Sequence, residues 1–595
     1  MDKPHSLDVN TQHVKSVSHR PFATGPGSHN DTITGFNEYI LGIVLMMLQG
    51  WNELDKDVHK MAMDAVLGLW EAFSESPIVQ SMDINTNATS YVGATGLRDD
   101  QPREVDLKSQ AYVLYCNIFS KKTYMQIAAT KNMLTILESC QISPPPATIG
   151  NRSLSTTFFD VIWLPHFPIN QLFFYEFPHS GTHFIEKVVP NLKHSLSITL
   201  QHFFPFAGNL LVFPKPNDSG FARKPEIRYV EGDSVAFTLV ECDLDFDDLV
   251  GNHPRACDKF YPLVPSLGHV VRESDFTVIP LFAVQVTFYE NRGFSIGITN
   301  HHVLCDASTK YDFLMAWTSI ARHGTDELFL AKRSNFPVYD RLIKYPDSFD
   351  QMFLKESGVE TLDLKYQLPE LIGPSCKVRA TFILTKAKIN LIKNWVSGQV
   401  PTLGYMSSFS VTCAYVWSCI AKSREEVEGA KGGDELERFV CVANFRSRMD
   451  PPLPQTYFGN CVAPCVAVTK SFLLSGNKGF LVAVESLGEA ISKTVKNKDE
   501  LLKNDELWFE MLFKIPAKIP AKIGVAGTPK VKIYDIDFGW GKPKKYETIS
   551  IDCNGSITVN ACKESPDDLE IGLSLPDKQM DAFIAIFDRE LQGFL

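Results

Sequence analysis

Two patterns of hydrophobic and polar positions divide the chain near residue 132. Met1–Gly35 is polar and shows no period, which is typical of a disordered segment. Beyond it, apolar residues recur at helical spacing and predict one amphipathic helix. Its apolar positions are Leu54, Val58, Met61, Ala65, Leu69 and Phe73. We therefore predict that residues 1–132 form a partly disordered N-terminal extension, whose role the sequence does not reveal.

From Met133 onwards the chain alternates between apolar runs of strand length and segments with a helical period. One of the apolar runs, TFFDVIWL (Thr157–Leu164), favours a buried strand. A polar stretch over residues 357–376 separates two halves of similar character and predicts a crossover linker. This alternation predicts a mixed α/β (α+β) fold with two domains, over residues 133–356 and 377–595.

Two histidines and an aspartate interrupt the apolar pattern in TNHHVLCDAS (Thr299–Ser308). The residues Gly293–Asn300 alternate as in a core-packed strand. Ser308 predicts the N-cap of a helix that ends at Gly324. The histidines and Asp306 therefore lie on a turn between two rigid elements, which is a favourable place for catalytic side chains.

The motif itself allows three interpretations: a general base with its supporting acid, a metal site, or a structural pair. Of the 15 histidines, only His302 has an aspartate at the fourth following position, and chance alone gives about one such match. A metal would need further ligands, and no second cluster of histidines or carboxylates has the spacing to complete a facial triad. The sequence therefore disfavours a metal and leaves the other two interpretations open.

The composition argues against several other classes of protein. Lys and Arg number 58 against 69 Asp and Glu, which gives a net charge of -11 without a basic stripe, so we do not expect a nucleic-acid partner. The 13 cysteines lack the dense spacing of a disulfide scaffold. The apolar run Tyr39–Leu48 is shorter than the roughly 20 residues that a bilayer crossing needs. We expect a cytoplasmic monomer that does not bind membranes.

Three separated motifs distinguish between the two open interpretations. They are HHVLCDA (His301–Ala307), YFGNC (Tyr457–Cys461), which follows NFRSRMDPPLP, and DFGWG (Asp537–Gly541). With these motifs, the chain from Met133 to its end resembles the plant BAHD family of CoA-dependent acyltransferases. YFGNC resembles the motif of the branch that acylates anthocyanins and other flavonoid or phenolic glycosides, often with malonyl-CoA. Residues 1–132 match nothing in that family.

The resemblance implies a two-domain fold related to chloramphenicol acetyltransferase, with a solvent channel that CoA and the acceptor enter from opposite sides. His302 would face the middle of this channel as the general base, because a neutral imidazole can take the proton of a hydroxyl group. Asp306 would point away from the channel and pair with an arginine. Arg446 is our first expectation for that partner and Arg448 the second.

The other motif residues are expected to support the site rather than to react. DFGWG offers glycines for backbone conformations that other residues avoid and aromatic rings for packing; it comprises Asp537, Phe538, Gly539, Trp540 and Gly541. YFGNC is compatible with a turn that leads into a strand; it comprises Tyr457, Phe458, Gly459, Asn460 and Cys461.

The function that the resemblance implies is acyl-CoA-dependent O-acyl transfer without a permanently bound cofactor or metal. The expected reaction moves malonyl from malonyl-CoA to a sugar hydroxyl of a flavonoid, anthocyanin or other phenolic glucoside. Another aliphatic donor or a hydroxycinnamoyl-CoA donor is the alternative within this class. A catalytically silent binding protein of the same fold is the alternative from a different class.

Overall fold

The computed structural model describes residues 133–594 apart from 214–222, 333, 335, 342, 358–367, 369–370, 372–374, 402–405, 430–434 and 513–520. The predicted N-terminal extension with its helix, and most of the predicted linker, lie outside the described residues. The domain boundaries therefore stay predictions.

The strands are β1 (Leu134–Ile142), β2 (Arg152–Ser155), β3 (Ile169–Glu176), β4 (Asn209–Val212), β5 (Glu226–Tyr229), β6 (Val235–Cys242), β7 (Arg255–Ala256), β8 (Val271–Arg272), β9 (Thr277–Pro280), β10 (Phe282–Tyr289), β11 (Gly293–Asn300), β12 (Lys377–Leu384), β13 (Leu436–Asn444), β14 (Val462–Lys470), β15 (Ala521–Ala526), β16 (Lys545–Thr548), β17 (Ile557–Ala561) and β18 (Leu569–Pro576). The α-helices are α1 (Phe158–Val161), α2 (Gly181–His183), α3 (Val189–His202), α4 (Phe246–Val250), α5 (Ala307–His323), α6 (Glu327–Leu330), α7 (Asp347–Glu356), α8 (Lys386–Gln399), α9 (Ser408–Glu428), α10 (Ser471–Ser475), α11 (Gly479–Lys496), α12 (Lys498–Leu501), α13 (Asp505–Leu512), α14 (Ile551–Asn554) and α15 (Asp577–Gln592).

The first sheet carries the strand that leads to the two histidines. Its order is β1-β6-β10-β11-β3-β16, and β10 pairs antiparallel with β11 from Phe282 opposite Asn300 to Tyr289 opposite Gly293. Every residue of β10 and β11 is buried, so both faces of the sheet are covered at this point. A strand that is paired and covered on all sides is a rigid support for the turn that follows it.

The second sheet has the order β14-β13-β15-β17-β18-β12-β7. Each half of the chain gives one strand to the sheet of the other half: β16 pairs with β3 in the first sheet, and β7 pairs with β12 in the second. A smaller third sheet has the order β2-β5-β4-β9-β8.

The structure has two main hydrophobic cores, and the first of them contains residues from both halves of the chain. The first core lies around the first sheet and includes Phe445, Phe458 and Trp508 from the second half of the chain. The second core packs α9, α11 and α15 against the second sheet. The segment that contains YFGNC therefore belongs to the core that supports the histidine turn.

The prediction of a strand at Thr157–Leu164 is wrong. Residues Phe158–Val161 form the short helix α1, which begins at the N-cap Thr157. The side chain of Asp160 accepts hydrogen bonds from the backbone N–H and the hydroxyl of Thr157 at 2.9 and 3.0 Å. A capping interaction of this kind fixes a helix start, whereas an apolar run of this length fits a buried strand and a buried helix equally well.

Candidate active site

The turn that carries the histidines is fixed at both ends. β11 ends at Asn300, and α5 begins at Ala307 and ends at Gly324, which adopts a left-handed conformation with φ of 72°. The N-cap of α5 is Asp306 and not Ser308 as expected, because its Oδ1 accepts the backbone N–H groups of Ser308 and Thr309 at 3.1 and 3.2 Å. Asp306 therefore has a structural function at the helix start that the sequence motif did not reveal.

His301 and His302 occupy different environments although they are adjacent. His301 is fully buried, and its Nδ1 accepts the backbone N–H of Val303 at 3.2 Å. His302 is partly exposed, and its Nδ1 is buried without a hydrogen-bond partner among the residues that the structure describes. His302 is therefore the more accessible of the two imidazoles.

The indole ring of Trp163 covers one face of His302. The two rings are stacked with their centroids 3.9 Å apart and their planes at 6° to each other. Trp163 lies two residues after the end of α1, and it also makes an edge contact with His166 at 5.0 Å between ring centroids. The imidazole plane is therefore set by a second element as well as by its own turn.

Burial keeps both imidazoles uncharged. Desolvation lowers the pKa of His302 to about 3, and nearby His166, Lys310 and His301 also lower it. Desolvation and His166 lower the pKa of His301 to about 4. A buried histidine without a carboxylate partner loses its charge in this way. His302 is therefore neutral at physiological pH.

A buried ion pair lies beneath the turn. Nη1 and Nη2 of Arg446 donate to the two carboxylate oxygens of Asp306 at 2.6 and 3.0 Å, and neither side chain is more than 5% exposed. The backbone N–H of Cys461 also donates to Asp306, at 3.1 Å. Since the carboxylate has all its partners here, it makes no hydrogen bond to the ring of His302 in this structure.

Asn460, the fourth residue of YFGNC, holds the backbone of the turn directly. Its Nδ2 donates to the carbonyl oxygens of His302 and Val303 at 3.0 and 3.2 Å. The same Nδ2 and the backbone N–H of Asn460 donate to Oδ1 of Asp160 at 3.1 and 2.9 Å. Asp160 therefore connects three parts of the site: α1 with Trp163, the YFGNC segment and the histidine turn.

The remaining residues of YFGNC complete the support. The carbonyl oxygens of Tyr457 and Gly459 accept from Nη2 of Arg446, each at 3.0 Å. Phe458 is fully buried against aromatic neighbours, and burial raises the pKa of the Cys461 thiol to about 12. A thiol in that state is a poor nucleophile. YFGNC thus stabilises the turn and provides no reactive group to it.

Gly459 allows Arg341 to reach the same region. Its φ is +112°, and a Cβ atom there would lie 2.7 Å from Nη1 of Arg341. That guanidinium donates to the hydroxyl of Tyr457 and the carbonyl of Phe458 at 3.0 and 2.7 Å, and it lies 3.4 Å from the carboxylate of Asp160. A side chain at position 459 would therefore disturb both the backbone and this network.

DFGWG lies at the far end of the elements that carry the site. Phe538 packs edge-on against Trp317 of α5, with ring centroids 4.9 Å apart, and Trp540 packs against Phe294 of β11. Trp317 is ten residues beyond Ala307, which is about 15 Å along a helix.

The loop is closed by its own carboxylate. Oδ1 of Asp537 accepts the backbone N–H groups of Gly539 and Gly541 at 2.7 and 3.1 Å, and both glycines have positive φ. DFGWG therefore packs against α5 and β11, and through Phe538 and Tyr175 also against β3, rather than against the turn itself.

Three site residues were not singled out by the sequence reasoning: Trp163, Asp160 and Lys310. Nζ of Lys310 donates to Oδ1 of Asn300 at 2.9 Å, and burial lowers the pKa of its amine to about 8. The pattern Thr-x-x-Asp at Thr157 could have indicated a helix start and so placed Asp160 and Trp163 correctly. No local signal marks Lys310, which occupies an ordinary helical position.

Within the described part of the chain, no group of three or more His, Cys, Asp or Glu residues could hold a metal ion. Among the same residues, no helix has both the length and the apolar character that a membrane span requires.

The model of the transferase family matches residues 132–589. The chain belongs to this family of BAHD acyltransferases. It is 53% identical over 461 residues to malonyl-coenzyme A:anthocyanin 3-O-glucoside-6''-O-malonyltransferase of Dahlia pinnata, which covers 77% of this chain and 98% of the relative. It is 40% identical over 458 residues to malonyl-coenzyme:anthocyanin 5-O-glucoside-6'''-O-malonyltransferase of Salvia splendens, with 76% and 94% covered.

Two solved structures share the fold. Vinorine synthase superimposes with a TM-score of 0.54 at 22% identity, over 78% of this chain and 98% of the other. TRI101 of F. sporotrichioides, in complex with coenzyme A and T-2, gives a TM-score of 0.51 at 12% identity, over 74% and 98%. The predicted chloramphenicol acetyltransferase-like fold class is therefore confirmed.

Proposed function

We propose that this chain is a CoA-dependent O-acyltransferase that moves malonyl from malonyl-CoA to a sugar hydroxyl of an anthocyanin or other phenolic glucoside. The observation that carries the chemistry is the state of His302: a neutral, partly exposed imidazole on a turn that the surrounding structure fixes. The Dahlia and Salvia relatives are both named as malonyltransferases, and a third, at 40% identity, is phenolic glucoside malonyltransferase 1 of Nicotiana tabacum.

In the proposed reaction, Nε2 of His302 takes the proton of the acceptor hydroxyl while the oxygen attacks the thioester carbonyl. A neutral imidazole has one unprotonated ring nitrogen, which is free to accept this proton. When the carbon–sulfur bond breaks, His302 returns the proton to the CoA thiolate. No covalent bond to the protein forms, so both substrates must be bound together.

The supporting residues act by holding this ring in position. Asp306 and Arg446 fix the start of α5, Asn460 fixes the carbonyl of His302, and Trp163 fixes the plane of the ring. Positioning matters because a base must lie within hydrogen-bond reach of the proton that it removes. DFGWG stabilises the far ends of α5 and β11 in this scheme.

The similarity to the relatives also bears on the identity of the donor. Two Arabidopsis thaliana relatives that are named as coumaroyltransferases are 33% and 34% identical to this chain. The Dahlia malonyltransferase is 53% identical, which favours malonyl-CoA over a hydroxycinnamoyl donor.

A transfer assay tests the proposal against the alternative of a silent binding protein. Purified protein is incubated with malonyl-CoA and an anthocyanidin 3-O-glucoside, and the malonylated product and free CoA are separated by chromatography. We expect product formation that falls by at least about a hundredfold in His302→Ala, since general bases contribute about 10²–10⁴ in rate.

His269→Ala is the matched control, because His269 is an exposed histidine outside the site, and it should retain the parental rate. Tight binding of malonyl-CoA without any product would support the binding protein. Product formation from p-coumaroyl-CoA but not from malonyl-CoA would support the other donor class.

A further inference from the structure

We infer that Trp163 is a positioning residue for acyl transfer, whose indole face stabilises His302 while the imidazole carries the proton. The inference rests on the proposed function, because it concerns the moment at which His302 has taken the proton of the acceptor. None of the three sequence motifs contains Trp163.

The geometry is that of a face-to-face contact. Ring centroids at 3.9 Å and planes at 6° place the whole imidazole over the indole. A cation within about 6 Å of an aromatic face is attracted by the negative face of the ring, and tryptophan gives the strongest such contact. In the neutral state the same contact is ordinary stacking. The indole therefore favours the charged imidazole over the neutral one.

The need for such a contact follows from the rest of the site. Asp306 is engaged by Arg446 and by the backbone of Cys461, so it cannot neutralise an imidazolium at position 302. The other charged or titratable groups that act on this ring are His166, Lys310 and His301. All three disfavour a positive charge on His302. The indole face, by contrast, contacts the ring directly and has electrostatics that favour the charge.

Tryptophan at position 163 also buries an N–H donor, which a residue that only filled space would not need to do. Nε1 of Trp163 is buried and has no hydrogen-bond partner among the described residues, and an unpaired buried donor costs about 1–3 kcal/mol. A phenylalanine would fill most of the same space without that donor. The indole is therefore better explained by what its face does to His302 than by space filling.

The position of Trp163 is fixed by groups that also fix His302. The capping interaction of α1 between Thr157 and Asp160 sets the helix that precedes Trp163. Asp160 in turn accepts from Asn460, which donates to the carbonyl of His302. One carboxylate thus maintains the spacing between the two rings, as a contact that must persist through the reaction requires.

Substitution at position 163 gives the first test. We expect Trp163→Leu to lower kcat by on the order of 3- to 30-fold, the range of a cation–π contact. The kcat of Trp163→Phe should lie between those of the parent and Trp163→Leu. The KM for malonyl-CoA should change little, because the contact strengthens only in the charged state. Trp395→Phe is the control, since Trp395 packs against the second core. Thermal unfolding of each variant separates a loss of folding from a loss of rate.

Fluorinated tryptophan gives a test that keeps the shape of the residue. Fluorine withdraws electron density from the indole face and weakens a cation–π contact with little change in size. The chain has 8 tryptophans, so the same fluorinated amino acids are also incorporated into the Trp163→Phe variant. We expect kcat to fall stepwise with the number of fluorines in the parent and to stay constant in Trp163→Phe.

The outcomes separate the inference from the proposed function. If the unlabelled parent transfers no acyl group, the proposed function fails. The inference is overturned if the parent is active but fluorination leaves kcat unchanged. It is also overturned if fluorination lowers kcat equally in the parent and in Trp163→Phe. In either case Trp163 only packs against His302. If Trp163→Leu does not fold, the fluorination series alone decides.

Discussion

A single imidazole carries the proposed chemistry, and its environment is unusual in providing no counter-charge. In the common arrangement a carboxylate holds the second nitrogen of a catalytic histidine and favours its charged form. Here Asp306 pairs with Arg446 instead, and burial lowers the pKa of His302. The lowered pKa therefore keeps the histidine unprotonated and able to accept a proton, at the expense of its basicity.

The pH dependence of the reaction should reveal this state. An unperturbed histidine with a pKa near 6.5 would lose about tenfold in rate between pH 7.5 and 5.5. Because the pKa of His302 is lowered to about 3, its neutral form persists over that range. We expect both kcat and kcat/KM for product formation to change by less than about twofold. A fall centred near pH 6.5 in both parameters would contradict the environment described for the ring.

Removing the charge of Asp306 should destabilise the protein as well as slow it. Asp306→Asn keeps the shape of the side chain but leaves the fully buried guanidinium of Arg446 without its counter-ion. We expect the free energy of unfolding in urea to fall by about 3–5 kcal/mol. Asp567→Asn is the control, because its pair with Lys386 is exposed and should contribute nothing measurable. Asp306→Asn with parental stability but no activity would assign Asp306 to the chemistry itself.

At the scale of elements, the histidine turn is held by a segment whose contacts come from 140 to 158 residues later in the chain. The turn contacts Arg446 and Asn460, which flank the end of β13 and the start of β14. The β13–β14 connection therefore fixes the backbone of His302, while α1 and Trp163 fix the plane of its ring.

Gly459 tests this connection, since a side chain there meets both a positive φ and the guanidinium of Arg341. We expect Gly459→Ala to lower the free energy of unfolding by about 1–3 kcal/mol and to lower kcat through displacement of Asn460. Gly398→Ala is a matched control: position 398 lies in α8, where a Cβ would meet nothing within 4 Å. That change should stabilise the protein by roughly 0.5–1 kcal/mol. Equal behaviour of the two variants would show that the connection tolerates displacement.

Local signals predicted the histidine turn well and its surroundings poorly. The strand Gly293–Asn300 and the helix end at Gly324 agree with the structure, because alternation and a C-terminal glycine depend on neighbours in sequence. α1 was mistaken for a strand because an apolar run has no period to decide between the two. The contact between Trp163 and His302 joins residues far apart in the chain, and no pattern along the sequence encodes it.

At the scale of the whole molecule, a buried network of charges joins the two main sheets. Glu547 of β16 contacts Arg255 of β7 and Arg379 of β12, at 2.9 and 3.1 Å. Burial alone would raise the pKa of Glu547, but the two arginines outweigh it and lower the pKa to about 2. Its charge therefore stabilises the fold above a pH of about 4.5, the ordinary value of a glutamate. This contribution is lost as the pH falls towards 2.

Neutralising this carboxylate should weaken both sheets together. In Glu547→Gln two buried arginines lose a counter-ion, and we expect the free energy of unfolding to fall by about 3–5 kcal/mol. Urea unfolding followed by circular dichroism and by tryptophan fluorescence should give coincident transitions for parent and variant. Glu138→Gln, which alters a partly exposed pair with Lys193, is the control and should cost less than about 1 kcal/mol. Separate transitions in the parent would show that the sheets unfold independently.

The exchange of β7 and β16 between the sheets has a consequence for biosynthesis. While the ribosome is still making the second half, β3 has no neighbour on the side that β16 later occupies, and the nascent chain exposes an unpaired edge. At that stage the histidine turn also lacks its hydrogen bonds with Arg446 and Asn460. We expect that neither half, produced as a separate polypeptide, folds or retains partial function, and that chaperones bind the nascent chain until its last strands emerge.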